Sequence, residues 1–365
     1  MDRDLLVFGA GSFARLTAKF LQERGHVVHA FLTSREPMEA AIDGIPVVSL
    51  SRMSDHLRRI KSIICGVFNR DHPYQSIQDV LADHGFGPII WPWEFYPDLH
   101  EEFDWRYWLD PKPLRPEDWR QDHSYQTVLA ALHDDESRVT MDRLIRFRSG
   151  SDLEFSSFRS MDEQYFNEMT LGHLPLNRPV SYLDLGAYRG DSLERLCSLQ
   201  RVGEAVLVEP DRDNFGHLVA KLEHLCGDQS ALRPLALPLA AGDTHSIISL
   251  SGQGESVSSI PAAFSELPPS SCVTMIPMDH LMPAGLFDLI KVDVEGGDLA
   301  AINGMRSIIQ RSNAAIAVSI YHRPRDLTDI PLVLMSILRD RPYSFYVRQH
   351  MFNSFDSVFY AVPAS

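Results

Sequence analysis

The chain has 365 residues, more than one hydrophobic core ordinarily serves, and 44% of them are hydrophobic against 23% charged, so two globular domains are expected and a disordered polymer is excluded. Lys plus Arg number 34 and Asp plus Glu 49, and the resulting net charge of -15 repels phosphate backbones, which argues against a nucleic-acid substrate. Cys65, Cys197, Cys226 and Cys272 stand apart with no CxxC pair, the N-terminus lacks a signal-peptide pattern, and no apolar run reaches membrane-spanning length, so a cytoplasmic location is expected.

The first elements read as a βαβ unit. Residues 5–8 form an apolar run, Gly9-Ala-Gly11-Ser12-Phe13-Ala14 makes the turn, a helix follows to Arg24, and residues 27–32 return as a strand. This is a dinucleotide fingerprint with Ala14 at the third glycine position. The second strand ends in Leu32-Thr-Ser-Arg35, without the acid that would grip an NAD ribose; Arg35 would suit a phosphate instead. Gly9, Gly11, Ser12, Phe13 and Arg35 are therefore a candidate nucleotide site, the alternative being glycines that only close the helix onto the sheet. Short strands at 45–48, 62–67 and 88–90 and a helix at 74–84 complete a small parallel sheet. On Val7-Phe-Gly-Ala-Gly11, the missing acid and Ile42-Asp-Gly-Ile-Pro-Val47, residues 1–90 resemble the N-terminal nucleotide-sugar-binding domain of bacterial sugar acyltransferases, which implies a nucleotide-sugar ligand.

Residues 91–160 read as an aromatic and helical connecting segment. All five tryptophans, Trp91, Trp93, Trp105, Trp108 and Trp119, fall there. They could face a glycan, but filling a seam between domains uses their area more economically. Helices are expected at 124–132 and 137–147, with Asp134-Asp-Glu136 at the start of the second.

Residues 161–365 carry the stronger signals. A strand at 180–185 leads into Asp184-Leu-Gly186-Ala187-Tyr188-Arg-Gly190, a helix leaves it at 192–199, and the next strand, 205–208, ends in Glu209-Pro210. A glycine turn between strand and helix lets backbone approach a ligand, and an acid at the neighbouring strand tip suits a ribose diol, so an adenosine-type cofactor is expected here. A helix at 214–225 and a strand at 232–239 follow, closed by Asp243, which could accept from an adenine amino group. Residues 244–283 read as an irregular insert. A strand at 286–292 ends in Asp293-Val-Glu295-Gly-Gly297, a helix is expected at 298–309, and a strand at 314–320 ends in Tyr321-His322. A helix at 327–338 tolerates Pro331 in its first turn, and 343–348 with 357–362 make an antiparallel hairpin. Asp184, Glu209, Asp243, Asp293, Glu295 and His322 thus all fall at or past strand ends, where open α/β sheets bind ligands.

From about Asp134 onward the chain resembles the FkbM-type S-adenosylmethionine-dependent methyltransferases. The matching pieces include Glu163-Gln-Tyr-Phe166, Leu183-Asp-Leu-Gly-Ala-Tyr-Arg-Gly-Asp191, Val208-Glu-Pro-Asp211, Asp288-Leu-Ile-Lys-Val-Asp-Val-Glu-Gly296 and Ser319-Ile-Tyr-His-Arg-Pro-Arg-Asp-Leu327. Gly297-Asp298 stands where the family usually shows alanine-glutamate. The resemblance implies an α/β class I methyltransferase fold with a seven-stranded Rossmann-like sheet, and O-methylation of a sugar, glycan or secondary metabolite. Asp184, Gly186, Ala187, Tyr188, Gly190, Glu209, Pro210 and Asp243 would then hold S-adenosylmethionine. His322 would take the acceptor's proton, with Asp293 as the alternative base or as the group orienting it. Asp293, Glu295 and His322 could instead hold a divalent cation. The expected partner is a small molecule, nucleotide-sugar or glycan, and the chain could form a homo-oligomer. A non-catalytic nucleotide-sugar-binding or scaffold protein, and an NAD-dependent oxidoreductase using the N-terminal turn, are the rival readings.

Overall fold

The computed structural model describes residues 3–68, 70–95, 116–228, 230–251, 258–261 and 272–364. The chain divides into two compact units. The first comprises Met1–Arg120, Asp142–Arg159 and Met351–Phe355, the second Gln121–Met141, Ser160–His350 and Asp356–Ser365. The segment 91–160 is shared between them, and Trp105 and Trp108 lie outside the described residues.

The first unit is built on β1 (Asp4–Phe8), β2 (Val27–Thr33), β3 (Ala41–Ile42), β4 (Ile45–Ser49), β5 (Ile63–Cys65) and β6 (Ile89–Ile90), in the order β3-β4-β2-β1-β5-β6. All pairs are parallel except the short β3–β4 hairpin. The helix Ser12–Glu23 buries Phe13, Ala14, Thr17, Ala18, Phe20 and Leu21, the spacing of a single apolar stripe.

The second unit holds β7 (Val180–Leu185), β8 (Val202–Val208), β9 (Arg233–Leu237), β10 (Ala240–Ala241), β11 (Ser246–Ser251), β12 (Ser258–Pro261), β13 (Cys272–Ile276), β14 (Leu289–Val292), β15 (Ala315–Ser319), β16 (Tyr343–Gln349) and β17 (Ser357–Pro363). Seven of them form one sheet in the order β16-β17-β15-β14-β7-β8-β9. Five strands run parallel; β17 turns antiparallel against β15 and pairs with β16 as the expected hairpin. This is the seven-stranded Rossmann-like sheet that was expected. Every residue of β14, β15 and β17 is buried, as strands covered on both faces require, and their Val, Ile, Leu and Ala content supplies that apolarity.

Three expectations are corrected. The strand read at 232–239 ends at Leu237, and Ala240–Ala241 pair with β13 in a separate four-stranded sheet, β10-β13-β11-β12. The helix read at 298–309 is two, Asp298–Asn303 and Arg306–Arg311. It breaks beside Gly304, where a Cβ would stand 1.8 Å from the Gly242 carbonyl oxygen, so the backbones meet with no room for a side chain. Pro331 lies in the second turn of the helix Asp326–Leu338 rather than the first, so its missing N–H removes an interior bond.

The helix Asp135–Arg148 starts as its acids suggest. Asp134 Oδ1 accepts from the Ser137 N–H at 2.8 Å, and Asp134 Oδ2 takes Nη2 of buried Arg348 on β16 at 2.7 Å. Burial pushes the Asp134 carboxyl up, but hydrogen bonds from Arg348 and Ser137 outweigh it and hold its pKa at about 2. A carboxyl with a depressed folded pKa stabilises above its unfolded value and loses that contribution as pH falls through the folded one. Asp134→Ala is therefore expected to cost about 1 kcal/mol near neutrality, a figure discounted for its 31% exposed side chain, and almost nothing at about pH 2. Urea unfolding of both proteins at the two pH values checks this.

Candidate functional site

Four adjacent strands, β15, β14, β7 and β8, deliver Tyr321-His322, Asp293-Val-Glu295, the Gly186 turn and Glu209 to one edge of the sheet. Register explains the central anchor. Lys291 on β14 lies directly across from Asp184 on β7, and both side chains are buried. Lys291 Nζ donates to Asp184 Oδ1 at 2.9 Å and to the Gly186 carbonyl at 2.8 Å. Burial works against the ammonium charge, but Asp184 and Asp293 outweigh it and raise the Lys291 pKa. Asp184 is thus an anchor beneath the turn.

The turn itself is tightly determined. Gly186 has φ +82, and a Cβ there would stand 1.8 Å from the Asp293 carbonyl oxygen. Tyr188 takes φ +49, an uncommon conformation for a residue with a side chain. The N–H groups of Gly186 and Ala187 both donate to the Val208 carbonyl, that of Gly190 to Ala187, and that of Tyr188 to Glu209 Oε2 at 2.8 Å. Four backbone donors are thereby spent, three of them on Val208 and Glu209 and one inside the loop. The turn therefore offers a ligand close approach rather than the free N–H cradle that a pyrophosphate needs.

Glu209 is buried beside this turn, its carboxylate also accepting from the Asp211 N–H at 2.9 Å. Burial raises its pKa to about 7 against the pull of those two N–H groups. Pro210 follows it, half-buried. Asp243, by contrast, is exposed beyond β10 of the small sheet and not at the tip of a main-sheet strand.

Next to the turn sits an imidazole among carboxylates. His322 is 4% exposed. Its Nδ1 lies 2.8 Å from Asp298 Oδ2, and its Nε2 lies 3.4 Å from Asp293 Oδ1 and 3.5 Å from Glu295 Oε2. Asp298 also accepts from the N–H groups of Val294 and Gly296, which fixes the turn where Glu295 and Gly296 adopt φ +51 and +89. Tyr165 donates its hydroxyl to Asp293 Oδ2 at 2.8 Å, leaving Oδ1 directed at the imidazole. Burial lowers the His322 pKa, but Asp298, Glu295 and Asp293 together raise it well above the usual 6.5. The carboxylates favour the protonated ring, and the residue on its Nδ1 is Asp298 rather than Asp293.

Asp298, Tyr165 and Lys291 escaped the sequence reading as functional residues. All three lay inside motifs quoted for other reasons, and only the contacts of Tyr165 to Asp293 and of Lys291 to Asp184, 128 and 107 residues apart, show their roles.

In the first unit, Gly9, Gly11, Ser12, Phe13 and Arg35 sit at the neighbouring ends of β1 and β2, where the Gly9 N–H donates to the Leu32 carbonyl. Gly9 has φ +113 and its Cβ would meet the Gly66 oxygen at 2.8 Å. Phe13 is buried and stacks on Phe68 with centroids 5.4 Å apart; Arg35 is exposed. Close approach of the Gly66 backbone, just past β5, accounts for Gly9.

Residues 184–345 match the family model of the Methyltransferase FkbM domain. Among solved structures, a crystal structure of Methyltransferase FkbM from Methylobacillus flagellatus KT aligns over 98% of this chain and 90% of that one at 21% identity and a TM-score of 0.74, a likeness of fold. A putative caffeoyl-CoA O-methyltransferase from Staphylococcus aureus aligns over 74% of this chain and 99% of that one at 11% identity and a TM-score of 0.31. The N-terminal domain of human METTL16 in complex with SAH aligns over 69% and 94% at 11% identity and a TM-score of 0.31. Among curated proteins there is no significant match. No helix among the described residues is long and apolar enough to cross a membrane.

Proposed function

Taking as premise that residues 184–345 form an FkbM methyltransferase domain, we propose that this protein transfers the methyl group of S-adenosylmethionine to a hydroxyl oxygen of a sugar, glycan or secondary metabolite. The observation that carries the donor assignment is Glu209, buried at the tip of β8 and bonded to the Tyr188 N–H of the adjoining turn. Each Glu209 oxygen already accepts one backbone N–H and keeps a second lone pair for a ribose hydroxyl. The Gly186–Gly190 turn would pack along the methionine tail. Its spent N–H groups disfavour a dinucleotide pyrophosphate in the same place. Asp184 supports the turn through Lys291 without touching the donor.

The acceptor alcohol must lose a proton as it attacks. Asp293 Oδ1, 3.4 Å from His322 Nε2, would take that proton, the two groups acting as one coupled pair. Holding the alcohol in line with the sulfonium methyl contributes by positioning.

Ribose hydroxyls donate, so binding needs the ionised Glu209. With its folded pKa at about 7, affinity for the demethylated donor is expected to fall as pH drops from about 8 to about 6. Glu209→Gln should bind at least tenfold more weakly at the upper pH and show a flat profile. Calorimetric titration of both proteins decides it; equal affinities, or a wild-type protein that binds neither donor nor product, would reject the assignment.

A further inference from the structure

We infer that Tyr165 is a positioning residue of this site: its hydroxyl grips one oxygen of Asp293 and so keeps the other opposite the His322 imidazole. The phenol donates to Asp293 Oδ2 at 2.8 Å. A phenol has one proton to give and an ionised carboxylate has none, so that bond runs in one direction. Ser319 Oγ, buried at the end of β15, lies 3.3 Å from the same phenol oxygen and is therefore the donor there. The hydroxyl is fixed from both sides. With Oδ2 taken, Asp293 Oδ1 is left without a hydrogen-bond partner among the described residues, 3.4 Å from His322 Nε2.

The phenol is not itself the base. Burial, and then the charge of Asp293, raise its pKa well above the usual 10, so it stays a neutral donor.

The backbone of Tyr165 is held as firmly as its side chain. Its φ is +66, an uncommon value for a bulky residue. Its N–H donates to the Tyr360 hydroxyl at 3.2 Å, and its carbonyl accepts from the Thr170 hydroxyl at 2.7 Å. Tyr360 is held in turn, its hydroxyl 2.8 Å from His350 Nε2. A conformation of this kind persists only where the surroundings over-determine it. Any aromatic ring would serve packing; the hydroxyl is what these contacts aim. The ring also lies against the donor side of the site, with Lys291 Nζ 5.2 Å from its centroid and bonded to the Gly186 carbonyl.

The consequence for catalysis rests on the methyl-transfer proposal: a carboxylate free to turn presents either oxygen, and a misplaced base costs rate rather than affinity. The hold on Asp293 rests only on the contacts named.

The test is Tyr165→Phe, which keeps the ring and removes only the hydroxyl, read by nitrogen magnetic resonance of protein carrying isotope-labelled histidine. The His322 ring nitrogens are identified by their loss in His322→Gln. Tyr165→Phe should shift the Nε2 resonance and leave Nδ1, held by Asp298, in place. Ser319→Ala should move Nε2 in the same direction by less. Phe166→Leu, which alters the neighbouring ring 6.3 Å away, should move neither. Circular dichroism confirms that the variants are folded. Affinity of Tyr165→Phe for the demethylated donor, measured by calorimetry, should stay within about twofold of wild type. On any monosaccharide that receives a labelled methyl group from the wild-type protein, Tyr165→Phe should lower kcat about tenfold or more, with KM within about twofold. An Nε2 resonance unmoved in both folded hydroxyl variants overturns the inference. So do equal shifts of both ring nitrogens in Tyr165→Phe and Phe166→Leu, which would mark a packing role only, and so does an unchanged kcat. A selective Nε2 shift in a protein without affinity for the demethylated donor supports the role of Tyr165 and removes the donor proposal; donor affinity without the shift does the reverse.

Discussion

Replacing Gly186 by alanine is expected to destabilise the second unit by at least about 3 kcal/mol and to abolish donor binding. The new Cβ would stand 1.8 Å from the Asp293 carbonyl oxygen and 2.7 Å from its carbon, at a φ of +82 that side-chain-bearing residues rarely adopt. The obstacle is backbone and cannot swing aside. It is also fixed from behind, because the Asp293 N–H donates to Leu185 at 2.9 Å. The tips of β7 and β14 would have to part, taking the Glu209 side and the His322 side of the site with them. Gly190→Ala is the informative control. Its φ is +83, but the Cβ would meet Leu218 Cδ1 at 2.9 Å, the end of a flexible side chain. A loss of about 1–2 kcal/mol is expected there. Urea unfolding of both variants gives the comparison; similar losses would mean that the approach of Asp293 to the turn is looser than described.

Lys291→Met is expected to cost about 3–5 kcal/mol at neutral pH, because it leaves Asp184 buried without its counter-charge. Lys291 reaches both Asp184 Oδ1 and the Gly186 carbonyl, so the turn loses a strut as well. In the variant, burial raises the folded pKa of Asp184 above its unfolded value of about 3.9, and the deficit should shrink as pH is lowered toward that value. The double variant Lys291→Met with Asp184→Leu should recover much of the loss, since a well-packed apolar pair can replace a buried ion pair. A double-mutant cycle from denaturant midpoints measures the coupling; simple additivity would show that the two charges do not act as a pair.

What the sequence disclosed, and what it withheld, divides along physical lines. Strand–turn–helix punctuation around Gly186 and Gly190 is local, and β7 came out residue for residue. Gly304, where one helix gives way to the next, lies against the Gly242 carbonyl 62 positions earlier, and nothing near residue 304 announces that. Strand ends placed Asp293, Glu295 and His322 on one edge before any distance was known. Which carboxylate faces which ring nitrogen depends on how the Val294–Gly297 turn folds back, and so Asp298, noted only as a departure from a family pattern, proved to be the residue on Nδ1. The crowding at His322 was hidden for a related reason: three acids converge on it from one turn, and a residue's type says nothing about its neighbours' number. Asp243 was read onto the wrong sheet because Leu237 and Ala240 are both apolar, and hydropathy does not mark where a strand leaves its partner.

The first unit is discontinuous, and this bears on synthesis in the cell. The Tyr74 N–H donates to Asn353 Oδ1, Asn353 Nδ2 donates to the His72 carbonyl, and Arg148 Nε donates to Ser354 Oγ. Residues near position 72 emerge from the ribosome long before residues 353 and 354, at a rate of about 5–20 residues per second. The stretch around residues 72–74 must therefore wait, tens of seconds at the slower rate, with these partners still untranslated. Nascent-chain arrest before and after residue 355 should separate a protease-sensitive first unit from a resistant one.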